Sequence, residues 1–388
     1  MKIGHYDSEL GSKGGVTTYI RRIGSAQESA GNSVYYFSNR PCSDTFAAKN
    51  PPIAVSSNDD LYVQAKRLGL DILHLHKGIS QLPPMDLAVI RTLHGHQPYC
   101  PSGSKFLKRW NKPCDRPYSL PGCLWGHLVD GCGSARPQNI QFNFGYTHLE
   151  MAALSQMPVI VVSQFLKQQL VTAGYYPDRI NVLHLAAPES VSYCLPPKTE
   201  IPHFVFLGRL APEKGIGFLL QALKDVKVSV HLDIAGEGYQ DLEMRQLSIN
   251  LGLSDRVTFH GWLTQAQSMH LMQAARAVVF PSLWHEPAGF ISLEAAAVGR
   301  AIICTQVGGI PEYAELLNNA LLVKPKDLLG LSAAITQLAN DWSFAKALGE
   351  AGYSKVKQSF SLESHLDSLM QLYQQTVDHR SATVAPRR

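Results

Sequence analysis

The sequence predicts an α/β protein made of two βα-repeat domains, each around a mostly parallel sheet, facing one another across a cleft. Three observations carry that expectation. Short apolar runs alternate with amphipathic stretches, the pattern of buried parallel strands joined by crossover helices. Loops rich in glycine or charge follow several of those runs, where open α/β sheets hold ligands. The 388 residues suffice for two domains, and the proline-rich, polar stretch 190–202 reads as the linker between them.

Composition narrows the classes. Hydrophobic residues make up 45% and charged ones 17%, an ordinary globular mix. A net charge of +4 without basic stripes argues against nucleic acid as a partner. Met1-Lys2 runs straight into IGHY, so no signal peptide is visible, and no run of about 18 apolar residues offers a membrane span. The expected location is cytoplasmic, with reduced thiols.

The first domain is expected over residues 1–189. Residues 2–6 read as a strand, followed by a loop with Gly11, Gly14 and Gly15. A helix with Val16, Tyr19, Ile20 and Ile23 on one face comes next. Strand, glycine loop and helix together present backbone N–H groups to a phosphate, although a tight turn explains the glycines as well. Residues 34–37 and 72–75 read as strands flanking a helix over 60–68. Strand 88–93 delivers His94, Gly95 and His96 to its C-terminal end, while His74 and His76 read as alternating strand residues. Residues 158–163 form a strand and 164–173 a helix closed by Gly174.

Residues 99–146 stand apart as an excursion with little helical or strand periodicity. They hold Cys100, Cys114, Cys123 and Cys132, with Trp110, Tyr118, Trp125 and six basic side chains against Asp115 and Asp130. Four cysteines in a reducing compartment suggest a metal site or free thiols, but the usual C-x-x-C pairs are missing. The residues leave both readings open. The basic and aromatic content suits an anionic acceptor or membrane headgroups, or simply a solvated surface.

The second domain is expected over 203–360. Strand 204–207 leads to Gly208-Arg209 and on to Lys214-Gly215, ahead of helix 216–223. Arginine's planar fork and lysine's point charge suit a phosphate pair. Strand 257–260 ends at Gly261-Trp262-Leu263. Strand 278–280 then opens a loop, 282–289, that enters an apolar helix over 290–298 closed by Gly299. Glu286 and Glu294 flank that junction, about 12 Å apart if every step between them is helical. Ala288, Gly289 and Phe290 put small residues and free N–H groups at the helix start, which suits a phosphate. Taken alone, the glutamates read as a cap and a solvent-facing side chain. Residues 361–377 form an amphipathic helix able to cross back to the first domain, and 378–388 a loose tail.

SKGGVTTYI, TLHG, GRLAPEK and the Glu286–Glu294 stretch together resemble glycosyltransferase family 4, the retaining, nucleotide-sugar-dependent enzymes of the GT-B fold. The likeness covers nearly the whole chain and is densest over residues 204–312. It implies Gly14, Gly15, Arg209 and Lys214 at the donor diphosphate, Leu263 at the base, and Ala288, Gly289 and Phe290 beside the donor. It implies Glu294 at the ribose, and Glu286 and His94 at the transferred sugar as the catalytic pair. Gly308 and Gly309 resemble a turn near the nucleotide. With no Asp-x-Asp motif, no metal is expected in the cleft and no cofactor beyond the donor. The partners implied are a nucleotide sugar and a sugar, glycan or lipid-linked acceptor, with peripheral membrane contact, in cell-surface polysaccharide or glycolipid assembly. Leu185-Ala186-Ala187 departs from the family's asparagine–glycine pair at the hinge. Two other readings are a nucleotide-sugar-binding subunit without catalysis and a nicotinamide-dependent oxidoreductase. The second lacks G-x-G-x-x-G after the first strand.

Overall fold

A computed structural model describes residues 1–11, 14–40, 50–188 and 192–384. Ser12 and Lys13 of the glycine loop, residues 189–191 at the linker start and residues 385–388 of the expected tail lie outside them.

The first domain contains β1 (Lys2–Tyr6), α1 (Gly15–Ser29), β2 (Ser33–Ser38), β3 (Ile53–Ala54), α2 (Asn58–Leu68), β4 (Ile72–Leu75) and β5 (Val89–Leu93). After β6 (Phe106–Leu107), β7 (Lys112–Pro113), α3 (Leu120–Leu128) and α4 (Pro137–Leu154) it closes with β8 (Val159–Val161), α5 (Gln164–Thr172) and β9 (Ile180–Val182). Seven strands form one parallel sheet in the order β3-β2-β1-β4-β5-β8-β9, and β6 and β7 pair antiparallel outside it. Local chemistry sets the elements. In α2 the Ser57 hydroxyl accepts from Asp60 N–H, acids occupy the first turn, Lys66 and Arg67 the last, and left-handed Gly69 ends it.

The second domain runs β10 (His203–Leu207), α6 (Ile216–Asp225), β11 (His231–Ala235), α7 (Asp241–Asn250), β12 (Val257–Gly261), α8 (Gln265–Ala274) and β13 (Ala277–Phe280). It continues with α9 (Phe290–Ala297), β14 (Ala301–Thr305), α10 (Ile310–Leu317), β15 (Ala320–Val323), α11 (Leu328–Asn340) and α12 (Trp342–Ser359). Its six-stranded sheet has the order β12-β11-β10-β13-β14-β15, with every pairing parallel. Apolar side chains cover both faces, Phe204, Phe206 and Ile234 on one and Val205, Val278 and Ile302 on the other. Burial on both faces is why these strands read as unbroken apolar runs.

α13 (Leu362–Val384) packs against the first domain, where Leu369 and Tyr373 join Ile3, Ile23 and Ile72 in one buried cluster. The chain is thus closed back on its first unit. Residues 192–202 carry no helix or strand. They are pinned to the second domain by Arg276, which donates to Pro197 O, and by Arg300, which donates to Cys194 O and Leu195 O.

Two sequence expectations need correction. Residues 378–384 are helical, because α13 continues to Val384. The excursion 99–146 also contains α3 and most of α4. The buried positions of α4 are Phe144, Thr147, Glu150, Ala153 and Leu154, while Phe142 and Leu149 are exposed. Their three- and four-residue spacing is helical, but two of the inward groups are polar and two outward ones apolar. An apolar count along the sequence therefore misses the face.

Candidate active site

Each sheet has one point where strand order reverses, between β1 and β4 in the first and between β10 and β13 in the second. Loops leaving such neighbours diverge and open a crevice. Most of the residues singled out by sequence follow strands at these two points, whereas His94 follows β5, next to β4, and Leu263 follows the edge strand β12.

In the second domain the loop after β13 carries Glu286, which is buried. Its Oε1 accepts from Lys214 Nζ at 2.6 Å and from Ser282 Oγ at 2.9 Å. The Lys214 ammonium also lies over the Trp284 ring, 5.1 Å from its centre. Sequence reasoning assigned Lys214 and Glu286 to different parts of a donor; here they touch. Two glycines permit the approach. Gly215 has φ +75°, and a Cβ there would meet Pro281 O at 2.0 Å. Gly308 has φ +63°, and a Cβ would lie 2.4 Å from Glu286 N. Gly309 N–H then donates to Glu286 O at 2.7 Å. The Gly308–Gly309 turn thereby fixes the backbone of Glu286.

Arg209 leaves the end of β10 with an exposed side chain, paired only loosely with Glu213 at 3.3 Å. Leu263 sits half-buried just before α8, beyond the end of β12. Gly289 caps α9, with Ala288 before it and Phe290 as its first helical residue. A Cβ on Gly289 would lie 2.8 Å from Tyr313 Cβ, so packing alone calls for glycine there. Of the eight residues of α9, Phe290 and Glu294 alone are not buried. Burial pushes the Glu294 carboxyl up to about 7, and Arg22 of α1 pulls it part of the way back. Among the described residues its carboxylate accepts no hydrogen bond, so it is a half-buried acceptor facing the cleft's other domain.

In the first domain Gly14 and Gly15 begin α1, and added Cβ atoms would meet nothing within 4 Å. Among the described residues neither packing nor backbone conformation demands glycine at these exposed positions. His94, at the end of β5, belongs to a chain of imidazoles that the sequence did not reveal. Its Nε2 lies 3.2 Å from His76 Nδ1, His76 Nε2 lies 3.0 Å from His5 Nδ1, and His5 Nε2 lies 2.7 Å from Gln27 Oε1. The Gln27 amide nitrogen donates instead to Tyr373 OH on α13. An amide oxygen only accepts, so His5 Nε2 carries the hydrogen and His5 Nδ1 accepts from His76. The same logic makes His94 Nε2 a donor and leaves its Nδ1 bare. Burial pulls His94 down to about 3 and His5 to about 4, so every member of the chain is neutral near pH 7. His5, His74 and His76 are close enough to share an ion, but their ring nitrogens are already engaged with one another or with Gln27, Tyr373 and Thr92.

The two points meet directly. His96 Nε2 donates to His285 O at 2.6 Å, and Ser163 Oγ donates to Pro287 O at 2.6 Å. Glu312 of α10 accepts from Gln164 N–H and from His184 Nε2. His96, to which the sequence assigned no role, therefore joins the domains. A cavity of about 220 Å³ lies between Asp7, His76, Arg91, His94 and Trp284. A second, of about 340 Å³, opens beside it between Lys77, Gln97, Phe142 and Tyr146. Arg91 is buried and is held by Glu150 at 3.2 Å. His5, His76 and Gln27 were missed because a strand histidine looks structural until its partners, on α1 and β5, are known.

Comparison with known proteins agrees with this architecture. Residues 195–355 match the family described as glycosyl transferases group 1. The lipopolysaccharide core biosynthesis glycosyltransferase LpsD of Rhizobium meliloti is 32% identical over 176 residues, covering 45% of this chain and 50% of that protein. An uncharacterized glycosyltransferase of Methanocaldococcus jannaschii is 26% identical over 231 residues, covering 55% and 59%. The chain spans about half the length of the curated relatives it matches. Among solved structures, Anabaena HepE in complex with UDP and glucose superposes with a TM-score of 0.71 at 17% identity, covering 97% of this chain and 100% of that one. The fold is GT-B: two Rossmann-like domains across a cleft.

Proposed function

We propose that this chain is a retaining glycosyltransferase of the family 4 type, moving a hexosyl group from a nucleotide sugar to an acceptor. The observation that carries the reading is the Lys214–Glu286–Ser282 constellation at one switch point, joined through the His96–His285 bond to the loop that presents His94 beside the other. The matched group 1 region contains every second-domain residue of the proposed donor site.

In this reading the donor lies along the second domain. Arg209 and Lys214 neutralise charge growing on the leaving diphosphate, so no divalent ion is needed in the cleft. Glu294 accepts from the ribose hydroxyls and Glu286 from those of the sugar, as charge-assisted acceptors. The bare Nδ1 of His94 accepts from a further sugar hydroxyl. The acceptor enters over the two cavities beside His94, between Lys77 and Tyr146. HepE was solved with UDP and glucose, which puts a UDP-sugar first among donors. LpsD is named for lipopolysaccharide core biosynthesis, which supports a cell-surface glycan or glycolipid as product, made in the cytoplasm at the membrane face. No helix among the described residues is long and apolar enough to cross a membrane.

A thermal-shift panel of UDP-, GDP- and ADP-sugars tests the reading, because a ligand that binds the folded state raises the melting temperature. One nucleotide class should stand out, and the purified chain should slowly hydrolyse that donor with EDTA present. No shift with any sugar nucleotide would remove the reading. Binding without hydrolysis or transfer would favour a non-catalytic binding subunit.

A further inference from the structure

The lobe between Tyr99 and α4 holds chemistry that sugar transfer does not use. We propose that it contains a structural zinc site, the ion held by four of the five groups Cys100, Cys114, Cys123, Cys132 and His127. All five line one cavity of about 20 Å³, room for a single ion and not for a larger cofactor. They come from separate turns of chain: before β6, after β7, within α3 and after α3. One ion would tie all of these together.

Three further observations point to a ligand. His127 is 2% exposed, and its Nδ1 lies 2.9 Å from Ser134 O. A carbonyl only accepts, so Nδ1 carries the hydrogen and Nε2 is bare. That buried Nε2 has no hydrogen-bond partner. An imidazole held through one nitrogen by a carbonyl, with the other lone pair unused, is the form that ligates zinc.

Charge gives the second observation. Lys105 is 4% exposed, and its ammonium donates to Arg116 O at 2.8 Å. Among the described residues no carboxylate lies within 4 Å of it. A buried cation without a counter-charge is costly. Three or four thiolates around Zn²⁺ carry net negative charge and supply one.

The third observation is the lobe's thin core. From Tyr99 to the start of α4 its buried apolar side chains are Tyr99, Phe106 and Leu107. So small a unit generally needs a staple.

Burial pushes the Cys132 thiol up to about 11 and raises Cys114 and Cys123. Binding must therefore displace a proton from each of these three that ligates. Zinc–sulfur bonds of 2.3 Å require sulfurs about 3.8 Å apart. Among the described residues, groups of three within 4.8 Å are formed by histidines and Asp233, not by these thiols. Binding would therefore have to draw the side chains together. The lobe clasps the donor loop, because Trp284 Nε1 donates to Ser104 O and His285 Nε2 lies 2.8 Å from Asp115 Oδ1. The ion would order the chain just ahead of Glu286.

Elemental analysis of the full chain, purified without chelator and then equilibrated with Zn²⁺ and desalted, tests the proposal. The expected result is about one zinc per chain, released by an organomercurial with a lower melting temperature and faster proteolysis within residues 99–136. The double variant Cys114→Ser/Cys132→Ser leaves three of the five groups and should lose zinc, while Cys194→Ser, outside the lobe, should keep it. His127→Gln tests whether the imidazole is one of the four ligands, by whether zinc is lost. Failure to retain zinc after equilibration, disulfides among the four cysteines by mass spectrometry, or iron in place of zinc would each overturn it. None of these readouts depends on which sugar, if any, the cleft transfers.

Discussion

The two switch points differ in electrostatic character more than in geometry. At the second-domain point a lysine and a glutamate form a nearly buried ion pair, an exposed arginine stands at the strand end, and a half-buried carboxylate lies on α9. At the first-domain point the groups beside His94 are imidazoles that burial keeps neutral, and the buried Arg91 there is already paired with Glu150. Similar βα-repeat architecture thus offers fixed charge on one wall and a neutral hydrogen-bonding row on the other. Fixed charge suits a diphosphate and ribose; a neutral row suits hydroxyl groups, which it orients without binding them as ions.

The charged wall should be the more fragile. Lys214→Ala strands Glu286 in a buried setting, and breaking such a pair costs roughly 3–5 kcal/mol. A urea titration should show it as a large fall in midpoint, and a loss under about 1 kcal/mol would mean that solvent reaches the pair. The neutral row should yield less. His5→Leu leaves the His76 Nε2–H without its acceptor, a loss of about 1–3 kcal/mol. Nitrogen-15 spectra of the variant should show His94 losing its single tautomer, and an unchanged His94 spectrum would show that the row does not set it.

Arg209→Ala separates binding chemistry from stability. The side chain is exposed and its partner Glu213 is a surface ion pair, so the melting temperature should stay put. Turnover should fall more than tenfold, about 1.4 kcal/mol of transition-state stabilisation. Near-normal kinetics would take the diphosphate away from Arg209.

Glu294 gives the subtlest effect. Its carboxyl is raised from 4.5 to about 7 in the folded chain. Between those values the folded state holds a proton that the unfolded state has released, so stability falls as pH climbs through this window. Glu294→Gln should therefore melt above the parent at pH 8 and coincide with it below about pH 4.5. Equal melting curves at both pH values would mean that the carboxylate is well solvated.

Much of this layout was legible in the sequence. Apolar runs ending in Gly208-Arg209 and in Pro281-Ser282 fall at strand ends because both faces of those strands are covered. The closeness of Lys214 to Glu286, 72 positions apart in the chain, was not legible, since it depends on β10 and β13 being neighbours. Nor was the histidine row, which needs α1, β1, β4 and β5 side by side. α4 stayed hidden because its inward face carries Thr147 and Glu150. Local pattern revealed the elements, and long-range pairing decided which side chains meet.

One measurement addresses the proposed division of labour between Glu286 and Glu294. Glu286→Gln and Glu294→Gln keep size and remove charge, and each can be titrated with bare nucleotide by calorimetry alongside an assay of sugar transfer. Glu286→Gln should bind nucleotide like the parent while its transfer rate collapses; Glu294→Gln should lose nucleotide affinity as well. If both variants transfer sugar at the parent rate and differ only in melting temperature, the two carboxylates are structural and the cleft is not the active site described here.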